Sequence, residues 1–334
     1  MLDELVSALQ ASRGLAHKHD IGAAVRALGI GAHSAVRVGD DCAAIPDGEG
    51  YLLLAIEGFI QEFVEYDPWF AGWCGVMVNL SDIYAMGGRP LAVVDAVWSR
   101  GEERMAAVLA GMAAAAQTYR VPVVGGHSNA RSGGEQLAVS VLGRASKLLS
   151  GFDARPGDVL LAAIDLRGAY REPFPHWNCT GGAPPQRLRD DLEILPCLAE
   201  DGLCAAAKDI SQAGIIGTTM MLLETSGVGA EIDVDAVPRP TGCEPLRWLL
   251  SAFPSFGFVL AVPPQREREV IERFRARDIA CAAIGRCDGS RELRLRAGGE
   301  SRTAWDFRRQ AVTGCGAATD SGPDTSAASE KAHA

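Results

Sequence analysis

Lysine is scarce in this chain of 334 residues: only positions 18, 147, 208 and 331 carry it, and the remaining cations are Arg. No Gly-Lys dipeptide occurs, which excludes a P-loop, since that motif needs a Lys directly after its last Gly to reach the phosphates. No two of the nine Cys stand at C-x-x-C spacing and their number is odd. Neither a disulfide framework nor a zinc ribbon is indicated, and the thiols read as small buried hydrophobes of a cytoplasmic protein. Long apolar runs are also missing. The most apolar helical stretch, 105–116, is far short of a membrane span, and the N-terminus has no basic segment leading into an apolar one. Positive charge is in deficit, with 32 basic against 42 acidic residues and a net charge of −10. A surface that neutralises many nucleic-acid phosphates is therefore excluded.

What is present suits a folded protein of two domains: 48% hydrophobic and 22% charged residues, with 38 Gly and 17 Pro marking many turns. Apolar periodicity predicts helices over 1–30, 70–86, 103–119, 213–224, 244–253 and 265–275, with another from residue 186. Strands are expected at 51–56, 91–97, 121–124, 136–142, 159–164, 205–210, 230–234, 257–262 and 282–285. The interleaving lacks strict βαβ regularity, so the fold class is α+β. The expected divisions are a helical segment and loop over 1–34, domains over 35–150 and 151–312, and a disordered tail over 313–334 without bulky apolar side chains.

Four segments carry candidate chemistry. In the helix over 70–86, Gly72, Gly75, Asn79, Asp82 and Met86 share one face at spacings of three and four, where small residues admit a neighbouring backbone or a ligand. Gly39-Asp40-Asp41 sets two carboxylates side by side, an arrangement that repels itself unless a cation holds it, and Mg²⁺ is the natural candidate. Lys208-Asp209-Ile210-Ser211 puts Asp209 at a strand end, with Ser211 placed to cap the following helix. Gly125-Gly126-His127-Ser128 reads as a Gly-rich turn after a strand, suited to binding phosphate or metal through turn amides. The same run approaches a G-x-S-x-G nucleophile elbow around Ser128, but Ala130 stands at the fifth position and no helix pattern follows.

Taken in order, these segments resemble the AIR synthase (PurM-like) superfamily of ATP-binding proteins, whose members include thiamine-monophosphate kinase and selenophosphate synthetase. Gly39-Asp40-Asp41-Cys42-Ala43-Ala44-Ile45 is similar to G-D-D-A-A-V. Asn79-Leu80-Ser81-Asp82-Ile83-Tyr84-Ala85-Met86-Gly87-Gly88 is close to N-L-S-D-I-A-A-M-G-A. Asp209-Ile210-Ser211-Gln212-Ala213-Gly214 resembles D-I-S-D-G-L, and 155–158 resembles the A-x-P-G-D opening of a second domain. The resemblance implies a PurM-like two-domain fold with an N-terminal domain forming a dimeric β-barrel and a C-terminal α/β domain.

It also implies ATP with Mg²⁺, held by Asp40, Asp41, Glu57, Asp82 and Asp209. Gly29 and Gly31 of the 29–34 loop, Asp40, Asn79, Gly125 and Gly126 would stand against the nucleotide, and His127 and Asp209 would take part in catalysis. The expected function is ATP- and Mg-dependent phosphoryl transfer to a small metabolite, or activation of an amide oxygen, by a homodimer. Thiamine-monophosphate-kinase-like activity and a non-catalytic nucleotide-binding scaffold are the alternatives. Three departures stand out. His127 replaces the Asp of G-G-D; the apolar segment 253–260 replaces the kinase-like G-G-E-D-Y-E-L; and no Cys lies in the 29–34 loop, which disfavours selenophosphate synthesis. The acceptor is not legible. Segments 168–185, with His176, Trp177 and Cys179, and 253–260 are candidate walls for its pocket.

Overall fold

The computed structural model describes residues 2–30 and 34–316. The expected tail thus falls largely outside the described residues, and so does Gly31. The N-terminal helical segment is two helices, α1 (Leu2–Gln10) and α2 (Arg13–Leu28). Ser12 breaks the pattern by taking an extended backbone and accepting the Leu15 N–H, which starts α2 afresh.

The first domain is a five-stranded sheet backed by helices. Its strands are β1 (Ala43–Asp47), β2 (Gly50–Phe59), β3 (Arg89–Trp98), β4 (Val123–Asn129) and β5 (Gln136–Ala145), in the order β1-β2-β5-β3-β4. Helices α3 (Gln61–Tyr66), α4 (Pro68–Ala85) and α5 (Glu102–Tyr119) complete it. Alternation along the strands turns Leu53, Ala55, Val93, Val139 and Val141 inward, where α4 covers them. The opposite face keeps Ile45, Leu54, Ile56 and Val94 exposed. The sheet is open within the chain, with β1 and β4 at its edges.

Helix α4 departs from the two-faced reading: 15 of its 18 residues are buried. Gly72 admits α5, since a Cβ there would lie 1.9 Å from the Val108 carbonyl oxygen, and Gly75 admits β5 at Val139. Gly72 and Gly75 therefore serve helix–helix and helix–sheet packing.

The second domain holds β6 (Val159–Ile164), β7 (Ala169–Tyr170), β8 (His176–Asn178), β9 (Ala206–Asp209), β10 (Gly229–Asp233), β11 (Phe253–Pro254), β12 (Gly257–Val262), β13 (Ala280–Asp288), β14 (Glu292–Ala297) and β15 (Glu300–Asp306). Seven of them form one sheet, β15-β14-β10-β13-β6-β12-β9; β11, β8 and β7 form a small separate sheet. Helices α6 (Pro185–Leu192), α7 (Ile194–Glu200), α8 (Gly214–Ser226), α9 (Pro245–Leu250) and α10 (Glu267–Arg275) pack around it. Strands β6 and β12 are buried at every position, which explains their unbroken apolar sequence.

Two sequence expectations are corrected here. The small β7-β8-β11 sheet occupies the Pro/Gly-rich 168–185 stretch and the start of 253–260, short pairings too irregular for periodicity to reveal. Residues 313–316, assigned to the tail, are packed: buried Glu224 of α8 accepts hydrogen bonds from the Val312 and Thr313 amides, each at 2.7 Å, and Cys315 is buried. All nine cysteines are free thiols.

Candidate functional site

Between the two domains lies a cavity of ≈ 620 Å³, and its walls show how the motifs meet. Loop 39–41 precedes β1, Glu57 is on the inward side of β2, Asp82 is in the last turns of α4, and Lys208 and Asp209 end β9. The structure thereby brings Asp40, Asp41, Glu57, Asp82 and Asp209 to one cavity.

The paired aspartates are held by a cation the motif reading overlooked. Lys208 Nζ lies 3.2 Å from Asp40 Oδ1 and 2.5 Å from Asp41 Oδ1, and all three side chains are under 10% exposed. Burial opposes the lysine's charge, but Asp41 and Asp40 more than offset it and keep the ammonium protonated. Asp40 is further bound by the Gly151 amide at 2.7 Å and the Ser150 hydroxyl at 3.0 Å, so its oxygens are spent on holding the loop. The Asp209 amide donates to Asp41 Oδ2 at 3.4 Å. Gly39 permits this turn: its φ is +123°, and a Cβ would meet the Cys315 side chain at 2.5 Å.

The remaining carboxylates are short of counter-charge. Burial, then Asp209, Glu57 and Asp41, push the Asp82 carboxyl well above the usual range. Burial and Asp41 bring Asp209 up to about 8, and burial raises Glu57 and Asp41 as well. A divalent cation placed among these groups would favour their ionised forms. As placed, no three His, Cys, Asp or Glu side chains among the described residues stand close enough to cage an ion. The donor chemistry nonetheless fits a hard divalent cation, being all carboxylate oxygen, and Ser211 Oγ in the same wall is buried without a hydrogen-bond partner. Ser211 does not cap α8; its amide binds Thr218 Oγ1 instead.

Across the cavity, α2 presents Arg13, His17 and Lys18, whose side chains make no hydrogen bond or ion pair among the described residues. Lys18 is close enough to lower the pKa of both Glu57 and Asp209. Sequence reasoning missed this face because three basic residues on a helix look like a solvated surface. Beyond the acids the wall turns apolar, with Phe59, Phe63, Phe174, His176 and Phe253. His176 and Phe253 come from the two segments expected to line an acceptor pocket.

Other expected residues lie elsewhere. Gly125, Gly126 and His127 continue β4 instead of turning, because β3 pairs with that strand in parallel as far as Asn129. His127 is exposed, its ring 5.6 Å from that of Trp98, and is not part of the cavity. Ser128 is in the same exposed strand, so no nucleophile elbow forms. Asn79 is fully buried inside α4, donating to the Gly75 carbonyl at 2.8 Å. Gly29 ends α2 in the left-handed region, exposed and off the cavity.

Comparison with known proteins gives this site a context. Residues 39–145 match the model of the AIR synthase related protein, N-terminal domain, and residues 183–298 match its C-terminal domain. The chain belongs to the AIR-synthase-related family. It is 47% identical to an uncharacterized protein of Synechocystis across 94% of this chain and 98% of the other. It is 32% identical to thiamine-monophosphate kinase of Methanospirillum hungatei across 60% of this chain and 70% of that enzyme. Among solved structures, PurL of Thermotoga maritima complexed with ADP shares the fold at a TM-score of 0.68 and 19% identity. The match covers 83% of this chain and 46% of PurL, so the chain spans less than half of that protein. AaThiL complexed with AMPPCP and TMP gives 0.64 and 18%, covering 85% and 96%. The AIR-synthase-related fold is thus mixed α+β with PurM-like N- and C-terminal domains.

Proposed function

We propose that the chain is an ATP- and Mg²⁺-dependent enzyme that moves a phosphoryl group onto, or activates an oxygen of, a small metabolite. The observation that carries this reading is the convergence of Asp41, Glu57, Asp82 and Asp209 on one cavity. Structures sharing the fold were solved with ADP and AMPPCP, and named relatives are kinases and synthases. Mg²⁺ bound at these carboxylates would neutralise the phosphate charge that phosphoryl transfer develops.

The chain's own residues do the positioning. Lys208 and Asp40 lock the loop that presents Asp41. Asp82 and Glu57 approach from α4 and β2, and Asp209 from β9. The cations of α2 line the same cavity and would supply positive charge to a bound phosphate, with Lys18 close enough to act on Glu57 and Asp209. In the transfer, the bond from the γ-phosphorus to the β–γ bridging oxygen breaks as the bond to the acceptor forms. ADP leaves, and the acceptor's proton passes to solvent. No covalent protein nucleophile is required.

The exposed apolar face of the first sheet supports a homodimer, since Ile45, Leu54, Ile56 and Val94 are exposed on the face opposite α4 among the described residues. No helix among the described residues is long and apolar enough to cross a membrane. Calorimetry tests the nucleotide reading: wild type should bind Mg²⁺–AMPPCP and Asp82→Asn should not. Equal binding by both would sink the assignment.

A further inference from the structure

Helix α8 ends in Glu224-Thr225-Ser226, and none of these three residues lines the cavity. All three are nevertheless tied to it. The Glu224 carboxylate is fully buried and accepts three hydrogen bonds from one short segment: from the Val312 and Thr313 amides at 2.7 Å each, and from the Thr313 hydroxyl at 2.6 Å. Bonds to an ionised acceptor are among the stronger ones a chain makes. The Thr313 hydroxyl in turn accepts the Cys315 amide at 3.1 Å, and Gly314 and Gly316, at φ +73° and +115°, let the backbone wind tightly around it.

This strap, 312–316, touches both charged walls. Its Cys315 side chain packs against the turn that presents the paired aspartates, where a Cβ on Gly39 would lie 2.5 Å from Cys315 Cβ. Its Thr313 carbonyl seats the basic helix, since a Cβ on Gly22 of α2 would lie 2.6 Å from that oxygen. Thr313 itself lines the cavity. A second route runs from the same end of α8. Thr225 Oγ1 and Ser226 Oγ both donate to the Gly151 carbonyl, and the Gly151 amide donates to Asp40 Oδ2 at 2.7 Å. One helix end is therefore the mount for the acidic loop and, through the strap, for the cationic helix as well.

We propose that Glu224 is a positioning residue of the cavity. It holds the strap where the strap fixes both the Gly39-Asp40-Asp41 turn and α2, and so sets the spacing between the acids and the Arg13, His17 and Lys18 cations. The proposal rests on reading the cavity as the nucleotide site, and it gives a residue remote from any ligand control over nucleotide affinity.

Glu224→Gln tests it on the full chain, because the change keeps the side chain's shape but turns one oxygen into an NH₂ group that faces N–H donors. Hydrogen exchange should become faster along α2 and at the Asp41 and Gly151 amides, both of which donate to Asp40. Calorimetry should show Mg²⁺–AMPPCP binding at least ~10-fold more weakly. Val270→Ala truncates a fully buried side chain on α10, off the cavity, and lowers stability without touching the strap; both readouts should keep their wild-type values. Thr313→Val, which exchanges only the hydroxyl for a methyl, serves if Glu224→Gln does not fold, and it should speed exchange at Asp41 and Gly151. Wild-type exchange at either wall in Glu224→Gln overturns the proposal, as does wild-type exchange at Asp41 and Gly151 in Thr313→Val. Nucleotide affinity that Glu224→Gln leaves intact, or that Val270→Ala weakens equally, overturns it too. If the exchange pattern appears but wild type itself binds no Mg²⁺–AMPPCP, the nucleotide reading fails and the mount stands.

Discussion

Replacing Lys208 with Met removes the only positive charge in contact with Asp40 and Asp41 among the described residues, while preserving most of the side chain's volume. The lysine is 4% exposed and the two aspartates 2% and 8%, so solvent screens the interaction little. A charge pair at 4 Å in an effective dielectric near 20 is worth about 4 kcal/mol before desolvation is counted, and two such pairs meet here. Removing one partner of a buried pair leaves uncompensated charge and costs roughly 3–5 kcal/mol. The expected result is a loss of that size in urea unfolding at pH 7 without divalent ions. Arg273→Met should change stability by less than about 1 kcal/mol, because the Arg273–Asp201 pair is 38% and 50% exposed. Adding Asp41→Asn to Lys208→Met should recover part of the loss. A Lys208→Met protein within about 1 kcal/mol of wild type would refute the claim that this lysine holds the loop.

Three further outcomes follow from the same geometry. Burial, with a smaller contribution from Arg171, pushes His176 down to about 3, so only the unfolded chain takes up its proton between pH 6.5 and that value. Its stabilisation is complete above pH 6.5 and is lost as the pH falls, by up to about 1.4 kcal/mol per unit. His176→Gln should show a correspondingly flatter slope in unfolding between pH 6 and 4, and identical slopes would contradict a buried neutral imidazole. Gly72→Ala should destabilise by more than about 2 kcal/mol by thermal unfolding, since its Cβ would strike the Val108 carbonyl, whereas Gly289→Ala meets nothing and should be near neutral. Ile56→Glu, at a side chain 70% exposed, should leave stability unchanged yet yield monomer in light scattering if the first sheet is the dimer face; a persistent dimer would place the interface elsewhere.

The residue order already contained the family and the acidic cluster. Short motifs record local geometry: a Gly before two carboxylates, an Asp at a strand end, an Asp in a helix closed by Gly87-Gly88. Each of these is a matter of a few bonds, and all three segments reach the cavity. Strands β6 and β12 were equally legible, because burial on both faces writes an unbroken apolar run.

What the tertiary structure alone decided concerns partners distant in the chain. Asp41 finds Lys208 across 167 positions, so the cation that answers the paired carboxylates is a side chain of another domain. His127 left the site because β3 extends the Gly-rich run as a strand, a pairing that its own neighbours do not announce. The glycines of α4 went to α5 and β5, since which face of a wholly buried helix meets a ligand depends on what packs against the other faces. The aromatic lining joins Phe59 to Phe174 and Phe253 of the two segments expected as pocket walls, and nothing in either segment alone shows that they meet. Spacing along a chain reports what one turn or one strand can do, whereas charge balance and cavity shape are set by which segments the fold brings into contact.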